Sequence, residues 1–266
     1  MRVKFAKYQG TGNDFILIDN RDLSFDHSKP DLIAKLCHRR FGIGADGLMC
    51  LQEKDGYDFE MVYFNSDGRI SSMCGNGGRC IVAFANHLGL FKDRTFFLAP
   101  DGAHFAQLAP EGDWISLQMI DVEIVEKDGG SYVMNTGSPH YVTLVKNLKE
   151  KNMVEEGKTV RNSEKYVKEG INVNLVEDMN GSYFVRTYER GVEDETFACG
   201  TGVTAVAIAM TIEKGLTGQI NTPLEVLGGK LNVQLDFDGS KFTNIFLQGP
   251  AEKIFEGEIN LEKFFI

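Results

Sequence analysis

Two short strings in this chain have the residue types for proton chemistry. Met73-Cys74-Gly75-Asn76-Gly77-Gly78 and Ala198-Cys199-Gly200-Thr201-Gly202-Val203 each place a cysteine directly before Gly-X-Gly. Each then runs into an apolar stretch with helical spacing, Arg79–Ala85 in the first and Val203–Ala209 in the second. A cysteine at a helix N-terminus sits beside backbone N–H groups that lack intrahelical acceptors, at the positive end of the helix dipole. Its thiolate is therefore favoured. One such site would suggest a nucleophile; two suggest a duplicated fold with one acid/base thiol per half.

Two thiols facing one carbon can invert it. A thiolate removes a proton from one face and the opposed thiol returns a proton to the other, and using one residue type for both lets the reaction run in either direction. Charge developing on a substrate carboxylate would be held by the helix N–H groups. That chemistry needs no electron-sink cofactor, and no lysine sits in a context suggesting a pyridoxal Schiff base. A Gly-rich loop before a helix can also cradle phosphate. Neither string has the Gly-Lys-Ser/Thr ending of a P-loop or the GxGxxG spacing of a dinucleotide site, so a carboxylate is the better anion. The other cysteines, Cys37, Cys50 and Cys80, read as small buried apolar residues.

Several elements must position these residues. Strands are expected at Val3–Tyr8, Phe15–Asp19, Leu48–Gln52, Asp58–Asn65, Arg69–Ser71, Thr95–Leu98 and Trp114–Met119, with a helix over Asp31–Arg40 after Pro30. The first cysteine-led helix runs from about Asn76 to Leu88 and stops at Gly89. The second half repeats this plan. Strands lie near Tyr132–Met134 and Tyr141–Val145, and a polar helical stretch follows over Leu148–Gly157. Ile171–Val176 and Tyr183–Tyr188 then pair around Met179-Asn180-Gly181. The second cysteine-led helix spans about Gly202 to Lys214 and ends at Gly215, and four strand-like segments continue to Ile266. The expected fold class is α/β. It has two pseudo-symmetric domains, each a mixed, mostly antiparallel sheet wrapped around a central helix. The boundaries fall at 1–118, carrying Cys74 and completed by the final strand near 254–266, and at 119–253, carrying Cys199.

Composition narrows the function classes. A length of 266 residues with 42% hydrophobic and 25% charged content describes a globular protein of one large or two moderate domains. A net charge of −10 without a dense Lys/Arg run argues against nucleic-acid or anionic-membrane partners. No apolar run approaches the ~20 residues that span a bilayer, and Met1–Lys7 lacks the apolar core of a signal peptide. Five unevenly spaced cysteines, with no paired Cys-X-X-Cys or histidine cluster, fit free thiols in a reducing compartment and no metal site. The expectation is a cytoplasmic enzyme for a small molecule, whose sheet edges permit a homodimer.

The motifs resemble those of the diaminopimelate epimerase family. They include Gly12-Asn13-Asp14-Phe15, Gly42-Ile43-Gly44-Ala45-Asp46-Gly47-Leu48, Phe64-Asn65-Ser66-Asp67-Gly68 and the first cysteine string through Arg79-Cys80. Asn172-Val173-Asn174, Tyr188-Glu189-Arg190-Gly191 and Glu195–Gly202 complete the set, in family order across the chain. The resemblance implies a cofactor-independent two-base epimerase that interconverts LL- and meso-diaminopimelate in lysine and peptidoglycan precursor synthesis. On that resemblance Cys74 and Cys199 match the catalytic cysteines, while Glu189 and His140 match the pair that tunes the thiols. Asn13, Asn65, Asn172, Glu189 and Arg190 match substrate ligands, and Gly75, Asn76, Gly200 and Thr201 match backbone donors to the substrate.

Three positions depart from the family pattern. Gly137-Ser138-Pro139-His140 stands where many members have Gly-Asn-Pro-His, so Ser138 loses an amide that can bind substrate. Gly47 stands where some members carry a glutamine ligand, and Gly191–Thr196 is one residue longer than usual. The nearest rival is a proline racemase or hydroxyproline epimerase, whose first motif has His after Cys-Gly; Asn76 and Glu189-Arg190 argue against it. A rival of another class is a thiol redox switch without catalysis.

Overall fold

The computed structural model describes residues 2–109 and 114–264. The ends of two expectations, Met1 and residues 265–266, lie outside the described residues. In chain order the first elements are β1 (Arg2–Gly10), β2 (Asn13–Asp19), α1 (Pro30–Cys37), β3 (Gly47–Gln52), β4 (Glu60–Asn65), α2 (Gly75–His87), β5 (Arg94–Ala99), β6 (Gly102–Leu108) and β7 (Trp114–Gln118). Next come β8 (Val125–Asp128), β9 (Ser131–Asn135), β10 (Pro139–Leu144), α3 (Met153–Arg161), β11 (Asn172–Asp178), β12 (Tyr183–Glu189) and β13 (Asp194–Thr196). The chain finishes with α4 (Gly200–Glu213), β14 (Gly218–Val226), β15 (Gly229–Phe237), β16 (Phe242–Pro250) and β17 (Glu252–Asn260). It divides into one unit of Met1–Leu117 with Pro250–Ile266 and a second of Gln118–Gly249.

In the first unit β1 and β2 form an antiparallel hairpin, and β1 also pairs with β17. The chain crosses through α1 so that β3 lies parallel to β2, with Phe15 opposite Gly47; β4 then returns antiparallel to β3. The cysteine-led α2 follows, and β5 emerges parallel to β4 before turning antiparallel into β6 and β7. Leu32, Ile33 and Leu36 of α1 bury against Ile16, Ile18, Leu48 and Cys50 of the sheet. Helix α2 packs against β1, β2, β3 and β17, and its residues 75–82 are buried.

The second unit runs the same course. β9 and β10 pair antiparallel, the chain crosses through α3 to a parallel β11, and β12 returns antiparallel. Helix α4 follows, then β14 parallel to β12, then β15 and β16 in antiparallel order. The short β13, ahead of Cys199, has no counterpart ahead of Cys74 among the described residues. Helix α4 has no polar face: Gly202 through Thr211 are all buried, against β9, β10, β11, β12, β14 and β15. A helix apolar on every side is stable only when enclosed. Each fully buried Val or Ile in it contributes roughly 1.5–3 kcal/mol, so a charge at Val206 or Ile208 would unseat it. Both cysteine-led helices end on a left-handed glycine, Gly89 at φ 75° and Gly215 at φ 61°.

Three expected elements take other forms. Arg69–Ser71 is not a strand. A turn at Asp67-Gly68 lets only Ile70 bridge back to Phe64, after which the chain leaves the sheet toward Cys74. The helix expected to reach Arg40 stops at Cys37, because His38 turns extended at ψ 120° and the following loop folds back onto the carbonyls of Leu36 and Cys37. The helix expected over Leu148–Gly157 is a 3-10 turn at Leu148–Glu150 followed by α3. Asn147, left-handed at φ 54°, starts the turn, and Asn152 caps α3 by accepting the Glu155 N–H at 3.3 Å. No helix among the described residues is long and apolar enough to cross a membrane.

Candidate active site

In the first unit Cys74 is the N-cap residue of α2, extended at φ −118° and ψ 150°, and its Sγ accepts the Gly77 N–H at 3.2 Å. The glycines after it also make room. A Cβ at Gly77 would lie 2.5 Å from Met49 Cε, and one at Gly78 would lie 2.8 Å from Leu117 Cδ2. The Gly-rich string thus serves close packing of the helix on the sheet as well as exposing N–H groups. Arg79, one turn into α2, is fully buried. Its guanidinium donates to Thr11 Oγ1 and Asn76 Oδ1, both at 3.1 Å, and to the Gly75 and Pro250 carbonyls, both at 3.3 Å. Burial lowers its pKa to about 10, so it stays charged at neutral pH. By holding Asn76 Oδ1, Arg79 turns the Asn76 amino group toward Asn13 Oδ1 at 3.4 Å.

Asn13 opens β2 and donates to Asp46 Oδ2 at 2.7 Å. Asp46 is held by Arg39 at 2.7 Å, and its backbone N–H reaches Asp14 Oδ1 at 3.1 Å. Although Asp14 is partly desolvated, hydrogen bonds from Arg39 and Lys7 hold its carboxyl well below the usual range. Asn65 ends β4, exposed, and its backbone closes the turn to Arg69. Two residues earlier on the same strand face, Tyr63 is buried, with its hydroxyl beside the Cys74 thiol and Ser71. Burial first, then Cys74, pushes that phenol far above its ordinary value. A Cβ at Gly47 would lie 2.6 Å from Tyr63 Cε2, so the tyrosine ring excludes a side chain at position 47.

In the second unit Cys199 is the N-cap of α4, 8% exposed, and its Sγ lies 3.5 Å from Thr201 Oγ1. Thr201 Oγ1 meets His140 Nε2 at 2.8 Å, and the Thr201 carbonyl accepts from Thr136 Oγ1 at 2.8 Å. The parallel register sets His140 opposite Asn172. Asn174, two residues on, presents its amino group to His140 Nδ1 at 3.1 Å. His140 is fully buried; burial, aided by the charge of Arg190, lowers its pKa to about 3. Asn172 donates to Ser138 Oγ at 2.8 Å and to the Pro139 carbonyl at 3.0 Å, and accepts the Arg190 N–H at 2.9 Å. Ser138, where an amide was expected, therefore anchors Asn172. Glu189 ends β12, and burial raises its carboxyl pKa against the opposing Thr196 hydroxyl. The Arg190 guanidinium is exposed and donates to the Glu169 carbonyl at 3.1 Å.

Each unit therefore gathers one cysteine, a helix N-terminus and asparagines that brace them. Asn65 and Glu189 hold equivalent places, at the ends of β4 and β12. Burial raises the pKa of Cys37 to about 12 and lifts Cys50 and Cys80 further, so these three remain thiols. Sequence reasoning missed Tyr63 and Thr187, and quoted Arg79 and Asn174 without a role. Period-two alternation puts Tyr63 on the face of Asn65 and Asn174 on the face of Asn172, a signal available for those two. Nothing local marks Arg79 or Thr187.

A model of the diaminopimelate epimerase family matches residues 5–125 and 132–254. The chain belongs to the diaminopimelate epimerase family. It is an isomerase of the epimerase class, as its relatives are. A diaminopimelate epimerase of Flavobacterium psychrophilum is 53% identical over 258 residues, 97% of this chain and 100% of that protein. Among solved structures, a PhzF-family phenazine biosynthesis protein of Bacillus anthracis superposes with a TM-score of 0.77 at 16% identity, covering 98% of this chain and 99% of that one. A hydroxyproline epimerase of Agrobacterium vitis, solved with trans-4-hydroxy-L-proline, gives 0.67 at 13% identity over 97% and 92%. These two show a shared two-domain α/β fold with mixed sheets. Family membership goes against the proline racemase-type reading.

Proposed function

We propose that this enzyme interconverts LL- and meso-2,6-diaminopimelate without a cofactor, using Cys74 and Cys199 as its acid and base. The observation that carries this reading is the repeated topology, in which each unit ends a strand pair on a cysteine that caps a buried helix. One thiolate takes the α proton and becomes a thiol, while the electron pair moves into the adjoining carboxylate. The other thiol then gives its proton to the opposite face and becomes the thiolate. The carbon is inverted and the two sulfurs have exchanged roles. N–H groups at Gly75-Asn76 and Gly200-Thr201 hold the developing carboxylate charge. Asn13, Asn65, Asn172 and Arg190 read the remainder of the substrate, Arg190 as partner of the distal carboxylate. Glu189 and His140 set the state of the thiols.

We place the enzyme in the cytoplasm, on its five free cysteines, and in lysine and peptidoglycan precursor synthesis, on its substrate. A homodimer fits β17, whose residues 252–256 are exposed; sedimentation at micromolar concentration tests it. The function is tested by incubating LL-diaminopimelate in deuterated water and following deuterium at the α carbons. Label appears in the epimerised product, and Cys74→Ser or Cys199→Ser lowers turnover about 10³-fold. Deuterium entering proline but not diaminopimelate would overturn the assignment.

A further inference from the structure

The hydrogen bonds around His140 have a single consistent direction. Thr187 Oγ1 donates to Asn174 Oδ1 at 2.9 Å, which fixes the amide with its amino group on the other side. One amino hydrogen goes to the Tyr141 carbonyl at 3.0 Å, leaving the other for His140 Nδ1 at 3.1 Å. Turning the amide over would set Asn174 Oδ1 against the Tyr141 carbonyl, two acceptors in contact. His140 Nδ1 is therefore an acceptor, and the imidazole proton sits on Nε2. That N–H donates to Thr201 Oγ1 at 2.8 Å. A hydroxyl that accepts from the ring has its own hydrogen to give, and the neighbouring acceptor is Cys199 Sγ at 3.5 Å. The Thr136 hydroxyl pins the Thr201 carbonyl, and a Cβ at Gly137 would lie 3.4 Å from Thr201 Cγ2, so the threonine is held on both sides.

We propose that Asn174 and Thr201 are positioning residues: Asn174 locks neutral His140 with its proton on Nε2, and Thr201 converts that donor into a hydroxyl donor aimed at Cys199 Sγ. This inference rests on the two-thiol reading above and deepens it. His140 then acts on Cys199 as a fixed neutral donor through Thr201, not as the base that removes its proton. To accept a proton, Nδ1 would have to turn a hydrogen onto the Asn174 amino group, which Thr187 and Tyr141 prevent from rotating. The charged group that bears on His140 is Arg190, whose positive field works in the same direction. A hydroxyl donor stabilises a sulfur anion, so this relay favours the thiolate form of Cys199.

Two measurements on the full chain test this without substrate. Long-range proton–nitrogen spectra of ¹⁵N-labelled protein, with His140 assigned by loss of its signals in His140→Gln, give the tautomer between pH 5.5 and 8.5. The expected pattern is an Nε2–H imidazole at every pH; an Nδ1–H pattern, or titration near pH 6.5, overturns the proposal. Iodoacetamide alkylation of Cys199, read by peptide mass spectrometry against pH, gives the thiol's titration midpoint. Thr201→Val, nearly isosteric, raises that midpoint by about one pH unit, and Thr201→Ser restores it, whereas an unchanged midpoint in the valine variant overturns the proposal. Should Thr201→Val fold poorly, Asn174→Leu is read by the same spectra, and retention of a clean Nε2–H tautomer there counts against the lock. Failure of deuterium exchange into diaminopimelate would instead sink the substrate assignment and leave these readouts intact.

Discussion

Replacing Arg79 by methionine sets two large effects against each other. Burial lowers the arginine pKa from 12.5 to about 10. That difference, 12.5 − 10 at about 1.4 kcal/mol per tenfold step, makes holding the charge inside the unit cost roughly 3.5 kcal/mol. Against it stand four hydrogen bonds from a charged donor, at 3.1 to 3.3 Å. At about 1.5 kcal/mol each, the low end for such bonds, they contribute roughly 6 kcal/mol. The hydrogen bonds win by about 2–3 kcal/mol. Methionine fills much of the space but leaves Thr11 Oγ1, Asn76 Oδ1 and two carbonyls without this donor, so Arg79→Met is expected to lose about that much stability. Arg79→Lys retains the charge with a shorter reach and a single donor nitrogen, and should be no better.

The assay is urea unfolding followed by far-UV circular dichroism and by the single tryptophan, Trp114, compared at unchanged slope. Coincidence of the two probes checks that the transition is cooperative. An Arg79→Met variant as stable as the parent would refute the reasoning. It would show that desolvation outweighs the bonds, as happens when some buried ionic groups are replaced by apolar ones. The functional consequence is separable: with Asn76 released, kcat/KM should fall even where the variant remains folded.

Three further outcomes follow from the same geometry. His140, neutral in the fold with a pKa of about 3 and near 6.5 when unfolded, adds stability that is complete above pH 6.5 and lost as pH falls toward 3; at pH 5 the loss is about 2 kcal/mol. Urea titrations at several pH values should show this slope in the parent and not in His140→Gln, and equal slopes would exclude it. Gly47→Ala forces its Cβ against Tyr63 Cε2 and, at 2.7 Å, the Phe64 carbonyl; a cost of about 2 kcal/mol is expected in thermal unfolding. Tyr63→Phe leaves the packing in place but removes a hydroxyl from Cys74 and Ser71, so the pH midpoint for Cys74 alkylation should rise by about half to one pH unit while stability changes by under about 1 kcal/mol. A fixed midpoint would detach Tyr63 from the thiol.

What was legible in the sequence was whatever depends on neighbours along the chain. Cysteine N-caps, left-handed glycines after the last helical turn and period-two strands are local, and they place α2, α4 and most of the sheets within a residue or two. What was not legible at the site was decided by distant contacts. Arg69–Ser71 has strand-forming residues on both sides of its turn, yet the chain must leave the sheet to bring Cys74 onto α2. Arg79 follows two glycines near a helix start, and no neighbour along the chain marks it for burial. Its burial depends on Thr11, 68 residues away, and on Pro250, 171 residues away. His140 and Asn174 become neighbours only through a parallel register set across α3.

The two cysteine strings look equivalent, and their surroundings make them unequal for a reason that resides in one position of each. The second residue after Cys74 is Asn76, whose amide oxygen is taken by Arg79, while the sulfur accepts the Gly77 N–H and has the Tyr63 hydroxyl beside it. The second residue after Cys199 is Thr201, whose hydroxyl faces the sulfur and is itself supplied by His140. An amide at this position can be fixed by a buried cation, since its oxygen accepts while its amino group still donates to Asn13. A hydroxyl instead passes on whatever direction its own donor imposes. Duplication thus provides two helix termini with the same field, and a single side chain in each assigns how its thiol is addressed: through backbone and phenol in one, through a tautomer-locked histidine in the other.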